Sequence, residues 1–141
     1  MAPAMCIARL GNSIQVHRVT FMKRFLKSLT YAVNGLFSAL KTERNLRIDI
    51  AAMFIAIAFG LYLKLSILTW GLIILVIGFV LVAELFNTAI ERLGDEAANG
   101  VQKQLIKKAK DIAAAGVLLS ALTALIIGVL FLVIPFIQSF R

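Results

Sequence analysis

Glu84, Asn87 and Glu91 stand three and then four residues apart near the close of "GLIILVIGFVLVAELFNTAIERLGDE", a spacing that puts all three in one stripe of a helix. Thr88 lies beside the stripe, and Asp95 extends it if the helix continues. The opposite face, with Leu85, Phe86, Ala89 and Leu93, is apolar. Glu84 follows an uncharged run from Leu65 to Ala83 and has no basic neighbour. A carboxylate at or just inside a bilayer boundary is costly, so such a residue marks a site more often than it decorates a surface. Unpaired, it would be protonated or destabilising. A divalent cation is one natural partner, and magnesium is commonly held by one or two carboxylates completed by water and phosphate. No Cys or His lies near these acids in sequence, which disfavours zinc. Glu91, with Arg92 beside it, fits equally well as a helix-end charge in the headgroup zone.

Magnesium at carboxylates with lysines nearby points to phosphate chemistry. The run "KQLIKKAKD" supplies the positive charge, and Lys110 is the best placed of its lysines, at the base of the last apolar segment. Lysines before a transmembrane helix also serve as plain anchors, as Lys107 and Lys108 do in this reading. Asp111 complements the positive end of the helix dipole. The chain has no "GxxxxGK[ST]" and no "GxGxxG", so a nucleotide would be held by side chains and magnesium rather than by a glycine loop.

The elements that must carry these residues are membrane helices. The 141-residue chain is 61% hydrophobic, too apolar for a water-soluble domain of this size, and its mean hydropathy is +0.94. Leu65–Ala83 and Ile112–Phe140 are uncharged and approach or exceed the ~20 residues needed to cross a bilayer. Ile50–Leu63 is shorter, at about 14 residues; snorkelling by Asp49 and Lys64, and Tyr62 at an interface, make it a short span. The expected architecture is an all-α membrane protein. A variable tail at 1–21 precedes a membrane domain at 22–141, with an amphipathic surface helix at about 22–42 and spans at about 48–64, 66–92 and 110–137. Phe25, Leu29, Ala32, Val33, Leu36 and Leu40 give the surface helix its apolar face. Gly94, Asn99 and Gly100 are expected to break the segment after the second span, and Pro135 to bend or end the third.

Lys and Arg crowd the region before the first span and the loop between the second and third. The positive-inside rule therefore places the N-terminus in the cytoplasm and the C-terminus outside. The net charge of +8 then reads as attraction to anionic lipid headgroups, with no call for nucleic acid. In this topology all seven acidic residues, Glu43, Asp49, Glu84, Glu91, Asp95, Glu96 and Asp111, fall at the cytoplasmic ends of spans. That one-sided crowding argues against a small ion-coupled transporter, which would bury its acid near the midplane. A non-catalytic membrane subunit is the other alternative, with "NTAIE" as a packing surface of small residues.

The stretches "ERNLRID", "ELFNTAIE" and "AKDIAAAGVLL", in that order and spacing, resemble the prokaryotic integral-membrane diacylglycerol kinase and undecaprenol kinase family, from about Tyr31 to the end of the third span. The resemblance implies a surface helix and three spans assembled as a homotrimer with shared active sites, in the bacterial inner membrane. It implies transfer of the γ-phosphoryl group of Mg-ATP to a membrane lipid alcohol. Matched position by position, Glu84 resembles the catalytic base, Asn87 its polar support, and Glu43 and Glu91 the metal-binding glutamates. Arg47 and Asp49 fall near the lipid and metal, Tyr31 near the nucleotide, and Lys110 and Asp111 where phosphates and adenine are met. The chain departs from the family at Lys103 and Gln104, where a His, often followed by Glu, is common.

Overall fold

The computed structural model describes residues 3–98 and 103–140, with side-chain surroundings from residue 22 onward. The described residues are helical nearly throughout. α1 runs Pro3–Thr42, α2 Arg44–Tyr62, α3 Ile67–Ala97 and α4 Lys103–Gly128; a π-helical stretch, Val129–Val133, leads into α5, Ile134–Gln138. Among the described residues, three stretches are long and apolar enough to cross a membrane: Arg44–Tyr62, Ile67–Ala97 and Lys103–Gln138. Met1–Ser38 and Ala39–Arg141 form two compact units, so the last residues of α1, from Ala39 to Thr42, belong with the spans.

In the first unit, the α1 side chains from Met22 to Ser38 are exposed, among them Phe25, Leu29, Val33 and Leu36 of the expected apolar face. In the second, α4 packs chiefly along α3 and α2 packs on α3 as well. The buried apolar set is small, namely Ala39, Leu46, Ile73, Val76 and Leu132. Most large apolar side chains face outward, as lipid allows, since burying them between helices gains little over leaving them in acyl chains.

Local chemistry explains the two turns that flank α2. Between α1 and α2 only Glu43 leaves helical geometry, with φ −91° and ψ 119°. Ser66 caps α3 by accepting from the Thr69 N–H at 3.3 Å, a bond type worth about 1 kcal/mol. Lys64, in the turn before it, has φ 52°, a left-handed conformation that a residue with a Cβ adopts at a cost of ~1–2 kcal/mol.

One expected helix break is absent. Gly94 lies inside α3, which continues to Ala97. Its role is close approach: a Cβ there would stand 3.0 Å from Ile106 Cγ2 and 3.4 Å from Lys110 Cδ. Asn99 and Gly100 lie outside the described residues. Pro135, expected to bend or end the third span, stands three residues before α5 closes at Gln138. It enters at the first turn of α5, directly after the π-helical stretch, where a wider turn accommodates the missing N–H and the ring. That register brings Phe136 against Phe59, with ring centroids 5.0 Å apart, and against Tyr62 at 5.9 Å.

Candidate active site

α3 positions the central stripe. Glu84 is 2% exposed and Asn87 7%, and Thr88 beside them is also buried. One turn further on, the Asn87 amide donates to Glu91 Oε1 at 2.9 Å, an i, i+4 bond that the helix makes available. Among the described residues, two buried side-chain oxygens have no protein partner, Oε2 of Glu84 and Oδ1 of Asn87. The Asn45 side chain stands near the Glu84 carboxyl, and the charges of Asp49, Glu91 and Glu43 repel it. The N-terminal turns of α2 and the second half of α3 therefore place four carboxylates within electrostatic reach of one another. A buried carboxylate with a free oxygen is able to take a proton or accept a bond from a ligand hydroxyl.

The corner at Glu43 is tied to α3. Arg92 Nη2 donates to Glu43 Oε1 at 3.1 Å and also to Thr42 Oγ1, while the Thr42 hydroxyl donates to the same Glu43 oxygen at 2.9 Å. The Thr42 hydroxyl, followed by the Arg92 guanidinium, holds the Glu43 carboxyl below its ordinary titration range. Arg92, next to Glu91 in sequence, thus serves Glu43 instead.

The remaining candidates are placed as follows. Lys110 lays its stem over Gly94 and bonds Asp95 Oδ1 at 2.7 Å, so a phosphate would have to share or displace that partner. Asp111 and Arg47 are exposed, and Asp49 is half-buried. Asp49 is the one charged residue lining an apolar cavity of about 340 Å³ between α2, α3 and α4, walled by side chains such as Met53, Val80 and Leu125. Tyr31, in the first unit, is exposed, with the Lys27 ammonium 5.7 Å above its ring.

Among the described residues, no three His, Cys, Asp or Glu side chains gather closely enough to cage an ion by themselves. Magnesium asks for less, since one or two carboxylates with waters and phosphates complete its octahedron. The donor set fits that need: all its atoms are oxygens, and Asn87 Oδ1 is buried without a partner.

Residues 30–132 match the family described as prokaryotic diacylglycerol kinase. The chain belongs to that family. It is 38% identical to the undecaprenol kinase of Bacillus subtilis over 77% of this chain and 88% of that one. It is 36% identical to the diacylglycerol kinase of Synechocystis over 73% of this chain and 59% of that one. With the diacylglycerol kinase of Escherichia coli it shares 28% identity over 78% and 89%. For this prokaryotic diacylglycerol kinase family member, every candidate residue from Tyr31 to Asp111 lies inside the matched stretch. The chain is a multi-pass membrane protein.

Sequence reasoning missed four neighbours: Asn45 beside Glu84, Arg92 and Thr42 at Glu43, and Asp95 as the mate of Lys110. Each is a contact between different helices or at a helix junction, which residue spacing along one helix does not encode.

Proposed function

We propose that the chain is a lipid kinase that moves the γ-phosphoryl group of ATP onto the hydroxyl of a membrane lipid alcohol, diacylglycerol or undecaprenol, at the cytoplasmic face of the bacterial inner membrane. The observation that carries this reading is Glu84, almost fully buried where the uncharged first half of α3 ends, with one carboxylate oxygen unpartnered. A lipid alcohol presents its oxygen where the bilayer meets water, and a carboxylate at that level can receive its proton. As the lipid oxygen bonds to the γ-phosphorus, the bond from that phosphorus to the bridging oxygen breaks. ADP departs, and the hydroxyl proton resides on Glu84. Phosphoryl transfer asks mainly for alignment and charge stabilisation. Asn87 contributes alignment by holding Glu91.

Glu43 and Glu91 would hold magnesium, which when bound supplies charge neutralisation on the phosphates. Lys110 and Asp111 would meet phosphate and base, with Tyr31 near the nucleotide. Arg47 and Asp49 would face the lipid, whose chains suit the apolar cavity beside Asp49. Assembly as a homotrimer with shared sites follows the family resemblance, and the unpartnered Glu84 Oε2 and Asn87 Oδ1 leave room for a donor from a neighbouring copy. The apolar and basic composition of α1 from Met22 onward supports a surface helix on an anionic cytoplasmic leaflet, with the C-terminus outside.

The test is phosphorylation of each lipid in mixed micelles by the purified protein with labelled ATP. Labelled lipid phosphate is expected from at least one of the two. No labelled lipid from either, across the magnesium range, would refute the reading in favour of a transporter or a non-catalytic subunit.

A further inference from the structure

Arg92 is the one charged residue between Glu84 and Asp95 that neither the helical stripe nor the family resemblance gives a role. Its guanidinium reaches back 49 residues to the corner between α1 and α2, bonding Glu43 Oε1 and the Thr42 hydroxyl. Thr42 bonds that same oxygen, so the three groups close a triangle on Oε1 and leave Oε2 of Glu43 outside it. The Glu43 backbone alone does not aim this carboxylate. Glu43 is a single extended residue between two helices, anchored by its N–H to Ala39 O at 2.8 Å, and its side chain makes no capping bond to α2. The ties that fix the side chain come from Thr42 next door and from α3, one residue beyond Glu91.

We propose that Arg92 is a positioning residue of the cation site: it clasps Glu43 through one oxygen, holds that carboxylate at a set distance from Glu91, and leaves the other oxygen to a divalent cation. This rests on the reading that Glu43 and Glu91 hold magnesium. A guanidinium near a divalent cation also repels it, and the two effects oppose. The Arg92 side chain is 45% exposed, so water and salt screen the repulsion, whereas losing a partner that orients a metal ligand typically weakens affinity about 10–100-fold. Positioning wins that comparison.

The test uses full-length protein in micelles and reads binding of the fluorescent analogue TNP-ATP as magnesium is titrated, which needs no turnover. Arg92→Ala should raise the magnesium concentration for half-maximal binding about tenfold or more, while saturating magnesium restores full binding. Thr42→Val, which keeps shape and removes only the hydroxyl, should raise it in the same direction by less. In a Glu43→Gln background, adding Arg92→Ala should change nothing further, because the partner it positions is already disabled. A magnesium requirement in Arg92→Ala within twofold of the unaltered protein, or a lowered one, overturns the proposal. So does a tenfold penalty that persists undiminished beside Glu43→Gln. If Glu43→Gln itself leaves the requirement unchanged, the cation assignment fails as well, which separates that failure from a failure of the clasp alone.

Discussion

Replacing Glu84 by Gln should make the protein more stable. The carboxylate is 2% exposed, one of its oxygens has no partner, and Asp49, Glu91 and Glu43 all repel it. Withholding a carboxylate from water costs several kcal/mol, and each like charge nearby adds on the order of 1 kcal/mol at an effective dielectric of about 20. Glutamine has the same shape and carries no charge. It still leaves a buried polar atom short of a partner, at about 1–3 kcal/mol. The balance favours the variant by about 2 kcal/mol, the pattern expected where an active site is held in a destabilised arrangement. Thermal unfolding followed by circular dichroism in micelles, with EDTA to exclude cations, should place the Gln variant several degrees above the unaltered protein. Added Mg-ATP should raise both midpoints alike, because ligand binding stabilises the folded state and the variant keeps its Mg-ATP affinity. A midpoint equal to or below that of the unaltered protein would refute the argument, since Glu84 would then be adequately satisfied within one chain.

Glu43→Gln and Glu91→Gln should each raise the magnesium needed for half-maximal lipid phosphorylation, by about tenfold or more; unchanged dependence in both removes them as cation ligands. Lys64→Gly should raise the unfolding midpoint, by about 0.5–1 kcal/mol in stability, because glycine adopts the left-handed turn without a Cβ clash; a lowered midpoint would mean that Lys64 is not held at positive φ. Glu43 titrates below its ordinary value of 4.5 in the folded protein. Its bonds to Thr42 and Arg92 therefore contribute stability above that pH and lose it as pH falls through the lowered value. The difference in midpoint between the unaltered protein and Arg92→Ala should accordingly be constant near neutrality and shrink on acidification below 4.5; a difference that grows there would contradict the assignment.

The three spans were legible in the sequence because uncharged runs of bilayer length admit few other structures. Their ends were less so. Arg44, Asn45 and Arg47 open α2 as helical residues, and hydropathy does not register a helix that begins in polar residues. Gly94 reads as a breaker by propensity, yet tertiary packing against Ile106 and Lys110 gives it a place inside a helix. Pro135, read as a bend or an end, lies in the last turns of its span directly after a π-helical stretch. At the site, the stripe of Glu84, Asn87 and Glu91 followed from helical period alone, and two of its members are buried with Asn87 bonded to Glu91. Arg92 was read only as the neighbour of Glu91. Its bond to Glu43 spans 49 residues and depends on how α3 meets the α1–α2 corner, which no local pattern carries.

The account stands most directly on what Glu84 does for the lipid hydroxyl. Transfer rate and Mg-ATP affinity should be measured side by side on Glu84→Gln in mixed micelles. Loss of a general base should lower the rate by about 10²–10⁴-fold, with Mg-ATP affinity nearly intact. A rate within a few-fold of the unaltered protein, or an equal collapse of rate and affinity, would contradict the role assigned to this carboxylate.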